Sequence, residues 1–298
     1  MKKTTVKIMG GLGNQLHCYA FGRAISYTNK SQLVVDNQSG YWNDQYNREF
    51  MLNHFPNYNA KNLDLRDSNI AQFLFKLKKK IFYNISNCLS LRFKFHIKEN
   101  SNPYHFQAEL LARRPFFSSY FEGYWASYKY YNLIKEDLRK EFLPPIPTQD
   151  EVLVMAQKIK KSESCAIHIR SYKEESGIER VNLKRYYEKS ILEIKRNCPN
   201  TNFYIFSDDH NFAKNLLVDL IDEYFNFVNL KAAQGNIQSF NDFYLIYICS
   251  NAIIGDSTFS WWASWLSDNS KKHIIAPKGL SPWGDDWLPD NWIALDTV

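Results

Sequence analysis

The first forty residues change hydrophobic period twice. Val6-Lys7-Ile8-Met9 is a short β-type run that breaks at Gly10, Gly11 and Gly13 and resumes as a helical segment through Ala24 and Ile25. The apolar run Leu33-Val34-Val35-Asp36 follows, so the chain opens as strand, glycine turn, helix and strand, which implies a parallel sheet. The second half alternates in the same way. A helical stretch over 150–162 leads into strand Cys165–Arg170, and a helix over 186–197 leads into strand Phe203–Ser207 and then a helix over 211–217. Ser239, with Asp242 three residues on, predicts a capped helix running to about Cys249. Strand Ala252–Gly255, a turn at 256–258, a helix Phe259–Leu266 and a last strand Ile274–Ala276 complete a doubly wound α/β domain.

The middle of the chain reads differently. Residues 37–75 are loop-rich and aromatic. From 73 to 98, Lys76, Lys78, Lys79, Lys80, Arg92, Lys94 and Lys98 interleave with Phe, Leu, Ile and Tyr, which predicts a helical hairpin with a basic face. A surface of this kind suits anionic lipid or a lipid-linked substrate. Pro144-Pro145-Ile146-Pro147 cannot continue the charged helical run that ends near Phe142 and marks a linker. Two domains are expected, 1–147 and 148–298, with the basic-aromatic segment as an insert in the first.

Composition narrows the function classes. A net charge of +6 on 298 residues fits an enzyme for anionic substrates, or one near an acidic membrane surface, better than a nucleic-acid binder. The 16% aromatic share, rich in Tyr and Trp, suits sugar or base stacking. Cys18, Cys88, Cys165, Cys198 and Cys249 are scattered without a CxxC pair, which points to a reducing compartment. No signal-peptide run and no membrane-length apolar run is present, so a cytoplasmic or peripheral protein is expected.

In doubly wound sheets ligands bind at the carboxyl ends of the strands. Three such ends carry polar residues here: His168 and Arg170, Asp208 and Asp209, and Ser257, Thr258 and Ser260. The guanidinium of Arg170 suits bidentate capture of a phosphate. Ser257-Thr258-Phe259-Ser260 opens a helix, where hydroxyls and free N–H groups add to the positive end of the dipole, a pyrophosphate site. Asp208 and Asp209 suit a guanine edge or a ribose hydroxyl. With His210 they invite a metal reading, but no further ligand has matching spacing, so no metal is expected. The glycine turn is not a dinucleotide fingerprint, because Leu16 stands where the third glycine of G-x-G-x-x-G belongs. P-loop, G-x-S-x-G and H-E-x-x-H patterns are absent.

Gly10-Gly11-Leu12-Gly13-Asn14-Gln15 with Tyr19–Ala24, the His168-Ile169-Arg170 strand, Phe203–Asp209, and Ser257 through Leu266 together resemble the bacterial α-1,2-fucosyltransferases of glycosyltransferase family 11. Tyr124-Trp125 with Ser127, and Ala276-Pro277-Lys278 before Trp283, are also similar. The usual His-x-Arg-Arg-x-Asp of that family reads His168-Ile169-Arg170-Ser171-Tyr172-Lys173 here. Ser171 replaces the second arginine and Lys173 the aspartate, with Glu174 and Glu175 following.

The resemblance implies a GT-B-type fold, two Rossmann-like domains facing a cleft, the C-terminal one binding the nucleotide-sugar. It implies GDP-β-L-fucose as donor, a terminal galactose as acceptor, inversion at the anomeric carbon and no metal or cofactor. In that frame Arg170 is the catalytic residue and stabilises the leaving diphosphate with the helix that starts at Ser257. His168, Asp208 and Asp209 position the guanosine, with Phe259 in the same donor set. Gly11, Gly13 and Asn14 contact the donor from the first domain. Asp36, Asp44 and Glu122 are candidates for a general base, with Trp125 on the acceptor side. The expected partners are GDP-fucose, a galactose-terminated and lipid-linked glycan, and an anionic membrane surface. Two other classes stay open: a transferase of another nucleotide-deoxysugar, and a non-catalytic glycan-binding relative.

Overall fold

Two parallel sheets carry the fold in this computed structural model, which describes residues 1–65, 69–100, 105–171, 183–230, 235–278 and 285–297. The first region contains β1 (Lys3–Lys7), α1 (Leu12–Asn29), β2 (Gln32–Asp36), β3 (Lys61–Asn62), α2 (Asn69–Asn87), β4 (His96–Lys98), α3 (Ala108–Ala112), β5 (Ser119–Glu122) and α4 (Lys135–Glu141). Its sheet runs in the order β3-β2-β1-β5-β4, with every neighbouring pair parallel. The second region contains α5 (Asp150–Lys160), β6 (Ser164–Ile169), α6 (Leu183–Asn197), β7 (Asn202–Ser207), α7 (His210–Leu217) and β8 (Phe225–Phe227). It continues through α8 (Gly235–Ile248), β9 (Asn251–Ile253), α9 (Thr258–Trp265), β10 (Ile274–Lys278) and β11 (Ile293–Asp296). That sheet is ordered β11-β10-β9-β6-β7-β8, again parallel throughout.

The chain folds as two units, Met1–Phe142 with Pro282–Trp287, and Leu143–Ser281 with Leu288–Val298. A short C-terminal segment thus belongs to the first unit. Its Asp286 side chain accepts from Phe106 N at 2.8 Å and pairs with Lys129 Nζ at 2.5 Å, while its carbonyl accepts from Ser127 Oγ at 2.8 Å.

Covered on both faces, β6 is buried at all six positions, which is why it reads as an unbroken apolar run. Cys165, Ile167, Ile169, Tyr186, Ile253 and Ile275 anchor the core of the second unit. In the first unit Phe21 stacks on Trp125 at 4.3 Å and meets Phe121 and Tyr130 edge-on. Helix α1 lies close against β1 because of Gly22, where an added Cβ would come within 2.7 Å of Val6. The close helix–strand approach that a third fingerprint glycine would allow is supplied here two turns later.

Three local expectations are corrected. Residues 73–98 form no helical hairpin: α2 runs from 69 to 87 and the chain then becomes the edge strand β4. Ser239 caps nothing, because α8 already starts at Gly235 and the Ser239 hydroxyl donates back to Gly235 O at 3.3 Å. Ile274–Lys278 is not the last strand, since β11 pairs beyond it.

Candidate active site

The second sheet reverses its strand order between β6 and β9, so its ligand crevice is expected outside the carboxyl ends of these two strands. Most of the residues singled out in the second half lie there. His168, near the end of β6, is 7% exposed. Its carbonyl accepts from Tyr187 OH at 2.9 Å, and its ring lies 5.7 Å from that of Phe259. Burial, with the Arg170 charge beside it, lowers its pKa to about 4 against a weaker opposing pull from Asp208, so the imidazole is neutral at pH 7. Its Nδ1 is buried and has no protein partner. A polar atom left in that state is costly unless a ligand or water meets it.

Arg170 emerges one residue past β6. Its Nε lies 3.5 Å from Asp208 Oδ2, with both side chains about half exposed. Asp208 also accepts from Ser171 N at 2.8 Å through Oδ1, which ties the end of β7 to the loop that carries the arginine. An ion pair this open adds little stability; it orients. Asp209 is turned elsewhere: its Oδ1 caps α7 by accepting from Phe212 N at 2.9 Å. Of the adjacent aspartates, one addresses the crevice and the other holds a helix.

Past β9, Gly255 lets the turn approach β6. An added Cβ would lie 3.1 Å from Tyr187 OH and 3.5 Å from His168 O. The chain then enters α9 at Ser257, whose side chain makes no capping bond. Ser260 turns inward and donates to Ser257 O at 3.3 Å. Phe259 sits between His168 and Phe243. The helix is anchored by buried Trp261, Trp262 and Trp265, so its positive end is held rigidly beside β6. A guanidinium, a neutral imidazole and a helix start at one sheet edge suit a diphosphate.

Sequence reasoning read Asp242 only as part of a helix cap. It lies on α8, which packs against α9, and burial pushes its pKa up to about 7 despite the hydrogen bond from Gln238. A carboxyl raised in this way favours folding below its unfolded value, and that contribution is lost as pH climbs through about 7. Asp242→Asn is therefore expected to raise Tm most at about pH 8.5 and by distinctly less at about pH 5.5, where only part of the loss has accrued. Equal Tm shifts at both values in thermal scans would overturn this.

In the first unit the glycine turn also sits at a strand end. Gly10 has φ +77°, and an added Cβ would lie 2.9 Å from Asn14 Nδ2, so the turn needs glycine twice over. Gly11 begins α1 with open space on its side-chain face and no side-chain cap. Gly13 and Asn14 fall in the first turn. Buried Gln15 donates to Gly10 O at 3.0 Å and Glu49 O at 2.8 Å and accepts from Met51 N at 2.8 Å. It fixes the turn against a loop far away in sequence.

The expected acceptor-side residues separate. Asp36 is fully buried and accepts from Ser39 N, Ser39 Oγ and Tyr120 OH, closing the turn after β2. Asp44 accepts from Arg48 N at 2.7 Å. Glu122 pairs with Lys7 at 3.2 Å and Lys79 at 3.0 Å. Burial acts to raise its pKa, but His96 and the two lysines outweigh it and hold the carboxylate far below its usual range. Trp125 is a correction: it is wholly buried against Phe21 and has no face to offer a sugar. Glu99, which the sequence did not single out, accepts from Tyr124 N and Trp125 N at 2.7 Å each, and burial pushes it up to about 8 against those two bonds.

Tyr172, Lys173, Glu174, Glu175 and Trp283 lie outside the described residues. Among the described residues no group of three His, Cys, Asp or Glu gathers as a metal cluster would.

Two α/β units, each built on a parallel sheet, make a fold of the GT-B type. The chain belongs to glycosyl transferase family 11, whose family model matches residues 3–290. It is 28% identical to an alpha-1,2-colitosyltransferase of Escherichia coli over 99% of this chain and 100% of that protein. It is 33% identical to the O-antigen biosynthesis glycosyltransferase WbnK of Escherichia coli, over 31% of this chain and 29% of that one. Among solved structures it is similar to a point mutant of Arabidopsis thaliana FUT1 in complex with GDP. That match has a TM-score of 0.53 at 14% identity, covering 93% of this chain and 71% of the other.

Proposed function

We propose that the protein is an inverting transferase that moves L-fucose from GDP-β-L-fucose to the 2-hydroxyl of a terminal β-galactose. It works without a metal, on a lipid-linked bacterial surface polysaccharide at the cytoplasmic side of the membrane. The observation that supports this reading best is the grouping of Arg170, the unpartnered His168 Nδ1 and the start of α9 at the β6–β9 switch point. As the galactose hydroxyl attacks C1, negative charge grows on the departing diphosphate. A guanidinium and a helix dipole fixed in advance stabilise that charge, the work a divalent ion does elsewhere.

The colitosyltransferase similarity favours one second reading, a donor carrying colitose in place of fucose. Colitose lacks the 3-hydroxyl of fucose. A site that hydrogen-bonds this hydroxyl discriminates by about 10⁴–10⁵, whereas a merely apolar wall separates the two by about 10–200-fold. The test supplies GDP-fucose and GDP-colitose separately, in EDTA, with a panel of β-galactosides, and reads kcat/KM by mass spectrometry of the product. A preference for GDP-fucose upholds the first reading, and a preference for GDP-colitose replaces it. Binding of glycan with no transfer from either donor would make the chain a non-catalytic relative.

A further inference from the structure

Helix α2 is amphipathic in the opposite sense to a normal surface helix. Its packed face carries Phe75, Lys79, Tyr83 and Ser86: Phe75 meets Trp42, Lys79 pairs with Glu122, Tyr83 meets His96, and Ser86 Oγ donates to His96 O. The face turned away from these contacts is not polar. Ile70, Phe73, Leu74, Leu77, Ile81 and Ile85 recur at three- and four-residue intervals and are 44–75% exposed. Isolated exposed apolar residues are ordinary, but a stripe along a whole helix marks an interaction surface.

Charge selects the occupant. The 19 residues of α2 include Lys76, Lys78, Lys79 and Lys80 and no aspartate or glutamate. At 100° per residue, Lys78 falls on one flank of the stripe and Lys80 on the other. A second copy docking through this helix would bring lysines against lysines. An anionic bilayer offers the stripe an acyl layer and the lysines a layer of phosphates. Among the described residues no helix is long and apolar enough to cross a membrane, so α2 would lie in the interface. We infer that α2 seats the protein on acidic phospholipid, with its apolar stripe in the headgroup boundary and the flanking Lys78 and Lys80 on the phosphates. This holds whichever sugar is transferred.

The test is sedimentation of the full chain with vesicles of phosphatidylcholine alone or with about 30% phosphatidylglycerol. Binding is expected only to the anionic vesicles, falling about tenfold or more between low salt and about 0.5 M salt as the Debye length shrinks. Leu77→Glu with Ile81→Glu is expected to lose at least tenfold of the binding at unchanged Tm, because both side chains are already exposed. Val154→Glu, on a still more exposed apolar residue of α5, is expected to change nothing. Equal binding to neutral and anionic vesicles, binding to neither, or full retention by the double variant would overturn the inference. So would a concentration-dependent dimer, seen by light scattering, that the double variant dissolves.

Discussion

Arg170→Ala is expected to lower the transfer rate by about 10²–10³, the usual cost of removing one preorganised donor to a developing oxyanion. The loss should fall on kcat more than on KM, because the guanidinium is needed most when the diphosphate carries its extra charge. Tm should hardly move. Arg170 is half exposed and its partner Asp208 nearly as open, so the pair adds little to stability. Arg170→Lys keeps the charge but loses the planar fork and should recover only part of the rate. Asp208→Asn should cost less, since it releases the arginine without removing it. Steady-state kinetics on the three variants decide the matter. A full-rate Arg170→Ala enzyme would leave the anion to α9 alone and remove the arginine from the mechanism.

Trp125→Ala is expected to destabilise the first unit by about 3–5 kcal/mol, the range for deleting a large buried aromatic. Three rings lose their partner at once, since Phe21 stacks on this indole and Phe121 and Tyr130 meet its plane edge-on. The backbone adds to the sensitivity. Trp125 has φ +54°, unusual for a bulky residue, and is held there by the Glu99 carboxyl oxygen that accepts from its N–H. Its Nε1 is buried without a partner, so Trp125→Phe removes that burden, keeps a ring in the stack and should cost far less than the alanine. Denaturant unfolding of the three proteins measures the difference. If Trp125→Ala left stability intact and abolished acceptor binding, the indole would be a sugar platform after all.

Both units were legible at their centres and obscure at their edges. Strands β6 and β7 could be read because buried parallel strands are continuous apolar runs, whereas β1, with Val6 as its one aliphatic residue, was located by the glycine turn that follows it. Strands β8 and β11 span three and four residues, too short for any period to register. The region around α2 misled because its apolar residues point both ways, so the pattern suggested two helices where one helix and an edge strand exist. In the second unit, residue types at strand ends located the candidate site, but not the division of labour between Asp208 and Asp209, which depends on which way each side chain turns. Gln15 stood in plain view within the glycine motif. Its bonds to Glu49 and Met51 cross more than thirty residues and exist only once the loop has closed.

The strap at Asp286 orders the birth of the molecule. Synthesis proceeds from the N-terminus at about 5–20 residues per second, and domains ordinarily fold as they emerge. The first unit cannot do so to completion, because Phe106 N, Ser127 Oγ and Lys129 Nζ wait for a residue that lies 157 to 180 positions further along the chain. All but one strand of the second sheet precede that residue along the chain. The first unit is thus started first and finished late, and a chain cut at the linker would leave it permanently unlatched.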